Sequence, residues 1–170
     1  MTIENLWAGW RAAYVGDLDA HTYTDASGTL FERILNAGVP DNETFIVHRG
    51  EHCFVMLNRF PYGTGHLLVM PNRGVPLLGD LTPDESAALW EHMTLADRVL
   101  RNVYKPDGIN LGFNLGKAAG AGVPDHLHGH VLPRWAGDTN FTTAIAEVKV
   151  MPESLDTSWQ RIRAGWLTVS

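Results

Sequence analysis

A single cysteine, Cys53, stands in the whole chain, which excludes an internal disulfide and a cysteine-built zinc finger. Long apolar runs are missing as well. Leu67 to Met70 falls far short of the roughly 20 residues that cross a bilayer. The start, MTIENLWAGWR, has no basic patch followed by an apolar segment, so no signal peptide is expected. Cations are outnumbered, 13 Lys and Arg against 19 Asp and Glu. The resulting charge of −6 argues against non-specific binding to nucleic acid or to an anionic membrane. A small polyanion is not excluded, because net charge does not govern the donors of one pocket. With 45% hydrophobic residues in 170, the chain reads as a single globular domain with a sizeable core, soluble and cytoplasmic.

What is present is patterned. Trp7, Trp10 and Tyr14 recur at helical spacing, an aromatic stripe suited to packing against the main body or a partner subunit. Thr29 to Asn36 is a short helix with Leu30, Phe31 and Ile34 inward, stopped by Gly38 and Pro40. Three strand-like runs follow, Thr44 to His48, His52 to Asn58 and His66 to Met70, with links short enough for antiparallel hairpins. Thr82-Pro83-Asp84-Glu85 is a capping box with proline at the first helical position. Leu89, Met93, Ala96, Leu100 and Val103 then form one apolar face of a long helix that Lys105-Pro106-Asp107-Gly108 ends. Ile109 to Leu115 and His126 to Leu132 complete five strands, and Glu153 to Ala164 is a last helix. The expectation is an α+β domain: a five-stranded, mostly antiparallel sheet, a long helix, and further N- and C-terminal helices.

The chemistry concentrates in Asp125 to Trp135, DHLHGHVLPRW, where three of the chain's eight histidines fall within five residues. On a strand, His126, His128 and His130 share one face. Alternate positions lie about 6.8 Å apart, so the outer two are separated by about 13 Å at Cα. Imidazole–zinc bonds are only about 2.1 Å long, so all three cannot close on one ion, and no cysteine cluster or carboxylate pair offers a further ligand. A solvated polar face fits poorly beside Leu127, Val131, Leu132 and Pro133. Nucleophilic catalysis fits best: imidazole is substantially neutral at pH 7, and neighbouring rings hold a tautomer, bind an anion or protonate a leaving group. His128 has such support on both sides. Gly116, Gly120 and Gly122, with alanines between, let backbone N–H groups approach an anion. Together the two features suggest phosphoryl chemistry.

His126-Leu-His128-Gly-His130-Val-Leu resembles the motif of the histidine-triad (HIT) superfamily of nucleotide-binding hydrolases and transferases. The likeness runs from about 44 to 141. Leu57-Asn58-Arg59 through Gly65-His66 to Pro71 is similar to the family's first hairpin, Asp80 to Glu85 to the start of its long helix, and Gly112 to Gly116 to the segment before the small-residue loop. The tail, Pro133-Arg134-Trp135 through Phe141, is most similar to the bacterial branch that includes diadenosine tetraphosphate phosphorylases.

The resemblance implies a HIT-like fold, a homodimer, and a nucleotide or dinucleoside polyphosphate as substrate. It further implies that His128 attacks the α-phosphorus and forms a nucleotidyl-imidazole. His130 contacts the phosphate, while His126 and His66 secure the hydrogen bonds behind the nucleophile. Asn58 corresponds to a ribose-binding residue and Asn114 to one at the phosphate or leaving group. Ala121 and Gly122 present backbone N–H groups, and Trp135 borders the nucleotide. The plainer readings give Asn58 and His66 to the turn backbone, Asn114 to pinning its loop, and Trp135 to packing.

Three departures stand out. Gly129 occupies an apolar place, so something bulky should fill the space. Val123 replaces a hydroxyl residue, and Thr29 and Glu32 stand where zinc-binding relatives carry two cysteines. No metal and no resident cofactor are expected, although the substrate can arrive as a magnesium complex. The alternatives are a slow or non-catalytic nucleotide-binding module and a histidine-ligated metal hydrolase.

Overall fold

The computed structural model describes residues 27–138 and 151–169; the expected helix around Trp7, Trp10 and Tyr14 lies outside them. Thr29 starts the first helix, α1 (Leu30–Leu35), through a capping box in which its hydroxyl accepts from the Glu32 N–H and the Glu32 carboxylate accepts from the Thr29 N–H. A one-turn helix, α2 (Asp41–Thr44), follows Pro40. Thr44 therefore sits in a helix rather than at the head of a strand, and Phe45, in the left-handed region at φ 59°, turns the chain into β1 (Ile46–Arg49).

β2 (Cys53–Leu57) and β3 (Leu67–Pro71) come next, then α3 (Pro83–Tyr104), β4 (Gly108–Phe113), β5 (Gly129–Arg134) and α4 (Leu155–Val169). The sheet order is β1-β2-β3-β5-β4, and every pairing is antiparallel. α3 starts as expected, with Thr82 and Glu85 reciprocally capping and Pro83 just inside. α4 runs five residues further than expected, to Val169. Its start at Leu155 follows Glu153, whose carboxylate takes up the Ser158 hydroxyl and Arg161.

Both sheet faces are covered, which is why β2 and β3 are buried along their whole length instead of alternating between apolar and polar. Val47, Val55, Leu57, Leu67, Val69 and Val131 face α3 and α4, meeting Leu89, Met93, Ala96, Val99, Ile162 and Trp166. Ile46, Phe54, Met56, Leu68 and Met70 face the other way, toward Phe31 of α1 and Val123. Each such side chain contributes about 1.5–3 kcal/mol of transfer free energy. The histidines belong to this second, thinner layer.

One boundary differs from expectation in a way that matters. β5 begins at Gly129, so His126 and His128 precede the strand instead of lying on it. The Leu127 N–H goes to the Val75 carbonyl, 2.6 Å, and the chain there makes no ladder with β3. The alternation persists nonetheless: Leu127 and Val131 join the core under α3, while the three imidazoles share the opposite side.

Candidate active site

Gly129 explains how the histidine segment lies against the helix. A Cβ there would meet Met93 Cε and Sδ at 2.9 Å and Phe113 Cε1 at 3.0 Å. Met93 is the bulky group that fills the space of the missing side chain. On the opposite side His128 and His130 line an open cleft of about 880 Å³, mouth included, walled by Phe31, Ile34, Met56 and Leu68.

The hydrogen bonds determine where each ring proton sits, since carbonyls only accept and backbone N–H groups only donate. His126 is 1% exposed. Its Nε2 lies 2.9 Å from the Pro71 carbonyl and therefore carries the hydrogen; its Nδ1 accepts the Thr29 hydroxyl at 2.6 Å. His128 Nδ1 is 2.7 Å from the His126 carbonyl and must donate to it. The lone pair of His128 is thereby left on Nε2, which has no hydrogen-bond partner among the described residues. Burial lowers the pKa of both rings, partly offset by these carbonyl bonds, and Phe31 stands edge-on to both, centroids 5.4 and 5.3 Å away. A buried, neutral imidazole with its lone pair on the cleft side is a competent nucleophile at neutral pH.

A second relay runs alongside. The Tyr62 N–H donates to His66 Nδ1 at 3.0 Å, so the His66 proton is on Nε2 and goes to His130 Nδ1, also 3.0 Å away. His130 must then carry its proton on Nε2, beside the Asn114 amide at 3.4 Å. Two donors would oppose each other there, so the Asn114 amide presents its oxygen, not its nitrogen, to that proton. His130 Nε2–H is thus a donor beside Asn114, on a ring that lines the cleft.

The residues expected from sequence are not all brought together. His66, His126, His128, His130 and Asn114 form the connected set just described, and Asn58 and Gly122 line the cleft. Asn58 also serves the turn: its Oδ1 accepts from the Phe60 N–H at 3.0 Å and its Nδ2 lies 3.3 Å from His66 Nδ1. The Ala121 N–H donates to the Gly116 carbonyl at 3.2 Å. Trp135 packs edge-on to Tyr104, centroids 6.1 Å apart, and lines a different cleft with Gly63, Thr64 and Arg134. Sequence reasoning missed Thr29, Phe31 and Tyr62 as contributors. Thr29-Leu-Phe-Glu32 carries a capping-box signature, but nothing local says that its hydroxyl would reach residue 126.

Among the described residues no group of three His, Cys, Asp or Glu side chains is placed to hold a metal ion. The ring nitrogens of His126 are both engaged by protein groups, and His128 and His130 direct their rings to different partners. The histidine row is thus built as a hydrogen-bonded set.

The HIT domain model matches residues 39–137. The chain belongs to the HIT domain family. Among its HIT relatives is the protein named AP-4-A phosphorylase of Mycobacterium tuberculosis (strain CDC 1551 / Oshkosh), 38% identical over 165 residues, spanning 96% of this chain and 85% of that one. The asymmetrical bis(5'-nucleosyl)-tetraphosphatase of Schizosaccharomyces pombe is 36% identical over 93 residues, 55% of this chain and 50% of that relative. In structure the HIT fold is shared with a zinc-bound histidine triad family protein from Mycobacterium smegmatis, TM-score 0.66 at 26% identity, over 82% of this chain and 94% of that one. The first two relatives carry in their names the enzyme class that the resemblance implies. No helix among the described residues is long and apolar enough to cross a membrane.

Proposed function

We propose that this protein is a nucleotidyl-transfer enzyme that cleaves a phosphoanhydride bond of a dinucleoside polyphosphate through a covalent intermediate on His128. The observation that carries the reading is the proton on His128 Nδ1, held by a backbone carbonyl at 2.7 Å, which directs the other nitrogen's lone pair at the cleft. In the first step His128 Nε2 attacks the α-phosphorus. A P–N bond forms, the bridging P–O bond breaks, and the departing polyphosphate keeps the electron pair. The imidazole becomes cationic, and the His126 carbonyl oxygen stabilises the Nδ1–H that bears part of that charge. His130 Nε2–H donates to a phosphate oxygen. In the second step an oxygen nucleophile, phosphate or water, displaces the imidazole and restores it.

The apolar walls supplied by Phe31, Ile34, Met56 and Leu68 suit a nucleobase, and Asn58 and Gly122, which line the same cleft, serve as ribose and phosphate contacts. No protein-bound metal enters these steps, and magnesium comes with the substrate. The enzyme works in the cytoplasm as a homodimer. β4 is an edge of the sheet with Leu111 42% exposed, a strand edge that pairing with a second copy would cover. Sedimentation reads this directly, since a monomer at micromolar concentration contradicts it.

The deciding experiment incubates the protein with diadenosine tetraphosphate, with and without inorganic phosphate. The 38% identity to a phosphorylase along nearly the whole chain favours ATP plus ADP, formed only when phosphate is present. ATP plus AMP in its absence would make the enzyme a hydrolase. No cleavage under either condition refutes the assignment.

A further inference from the structure

The N-cap of α1 reaches the histidine row from a distant part of the chain. Thr29 Oγ lies 2.6 Å from His126 Nδ1 across 97 residues of sequence. The same oxygen accepts the Glu32 N–H at 3.3 Å, so its own hydrogen points at the imidazole. Glu32 holds the arrangement to the loop after β3: one carboxylate oxygen accepts the Thr29 N–H at 2.7 Å and the other the Gly74 N–H at 2.9 Å. The last residue of β3, just before that loop, supplies the Pro71 carbonyl on the far side of the ring. His126 is therefore gripped at both nitrogens, and its own carbonyl receives the His128 proton.

We propose that Thr29 is a positioning residue for the reaction: its hydroxyl fixes the ring of His126 as the Nε2–H tautomer, and through the backbone of residues 126–128 it aims the His128 lone pair. The proposal rests on His128 being the nucleophile. Without the hydroxyl, His126 Nδ1 is a buried acceptor with no donor, a state that costs enough to make ring rotation or protonation competitive. Either change alters the bond to Pro71 and turns the carbonyl that orients His128. Serine keeps the donor; valine keeps the shape and removes it.

The test uses the full chain and two readouts, one independent of turnover. Imidazole ¹⁵N shifts of the wild-type protein should give His126 as Nε2–H with a hydrogen-bonded, unprotonated Nδ1. Thr29→Val should change those shifts and lower kcat for diadenosine tetraphosphate by about 10- to 100-fold, the range seen when the group behind a functional histidine is removed. KM should stay within about twofold, and Thr29→Ser should restore both readouts. A wild-type protein with His126 protonated at Nδ1 overturns the proposal even if the valine variant does not fold. So does a valine variant with wild-type shifts and kcat. Turnover retained by His128→Ala would instead strike the nucleophile itself, leaving the ¹⁵N result to judge Thr29.

Discussion

Gly129 and Met93 offer a quantitative check on how the histidine row is seated. The Cβ of an alanine at 129 would stand 2.9 Å from Met93 Cε and Sδ, inside contact distance but against the mobile end of a flexible chain. Rotation of that end costs little, the Phe113 ring edge at 3.0 Å must give way slightly, and alanine recovers about 0.5–1 kcal/mol of the entropy that glycine loses in a strand, so Gly129→Ala should be near neutral. Gly129→Leu is different. Its four side-chain carbons would need the volume that Met93 fills, and Met93 is 0% exposed, so overpacking of about 1–3 kcal/mol is expected. Met93→Ala alone leaves a cavity and should cost about 2–5 kcal/mol. Combined, the leucine occupies the space the methionine vacates. The double variant should then be less destabilised than the sum of the two by about 1–3 kcal/mol, the coupling expected of residues in direct contact. Urea denaturation of the four proteins measures this cycle. Additivity within about 0.5 kcal/mol would refute the claim that Met93 replaces the side chain missing at 129.

Other expectations follow from the same geometry. His128→Ala should lower turnover by at least about 10⁴-fold, as loss of a covalent nucleophile does elsewhere, while nucleotide affinity measured by calorimetry stays within about threefold. Burial lowers the pKa of His48, His126 and His128, so the folded protein holds fewer protons there than the unfolded chain. Their contribution to stability is complete above the ordinary imidazole pKa of about 6.5 and is lost as pH falls from there through the lowered values. Scanning calorimetry should show Tm declining across that window, and a Tm that rises on acidification to pH 5 contradicts it. Because His128 stays neutral below pH 6.5, the acid limb of its pH–rate profile should also lie below that value. In α4, a Cβ at Gly165 would collide with Val103 Cγ2 of α3. Gly165→Ala should therefore destabilise by about 1–3 kcal/mol despite the roughly 1 kcal/mol that alanine gains in a helix; a higher Tm would contradict the close approach of α3 and α4. Enzyme dialysed against chelator and assayed with fresh magnesium should keep full activity, and elemental analysis should find no stoichiometric metal.

Much of this was legible in the linear chain because the signals were local. The capping box at Thr82 and the apolar spacing from Leu89 to Leu100 locate α3 within a residue or two, and the alternation through 126–131 survives although only its second half is strand. What was not legible depends on contacts between distant segments. Val75 captures the Leu127 N–H and so delays β5. Pro40 and Phe45 insert a helical turn before β1, where β-branched and aromatic residues suggested strand alone. The neighbours of Ala121 and Trp135 belong here too: the Gly116 carbonyl and the Tyr104 ring engage them, and neither is evident from spacing. Thr29 is the strongest case, since its local pattern accounts for a helix start and is silent about an imidazole 97 residues away.

The acceptor that orients the His128 ring is main chain, the carbonyl two positions back. No side-chain replacement can delete it. Swapping the first imidazole for another residue would keep that oxygen in the chain but release the ring that seats it between Thr29 and Pro71, so the oxygen would turn with the local backbone. Directed evolution of this scaffold can therefore vary the apolar walls of the cleft while the backbone of 126–128 keeps the aim of His128 Nε2. The peptide units from 126 to 128 are the part that must not move.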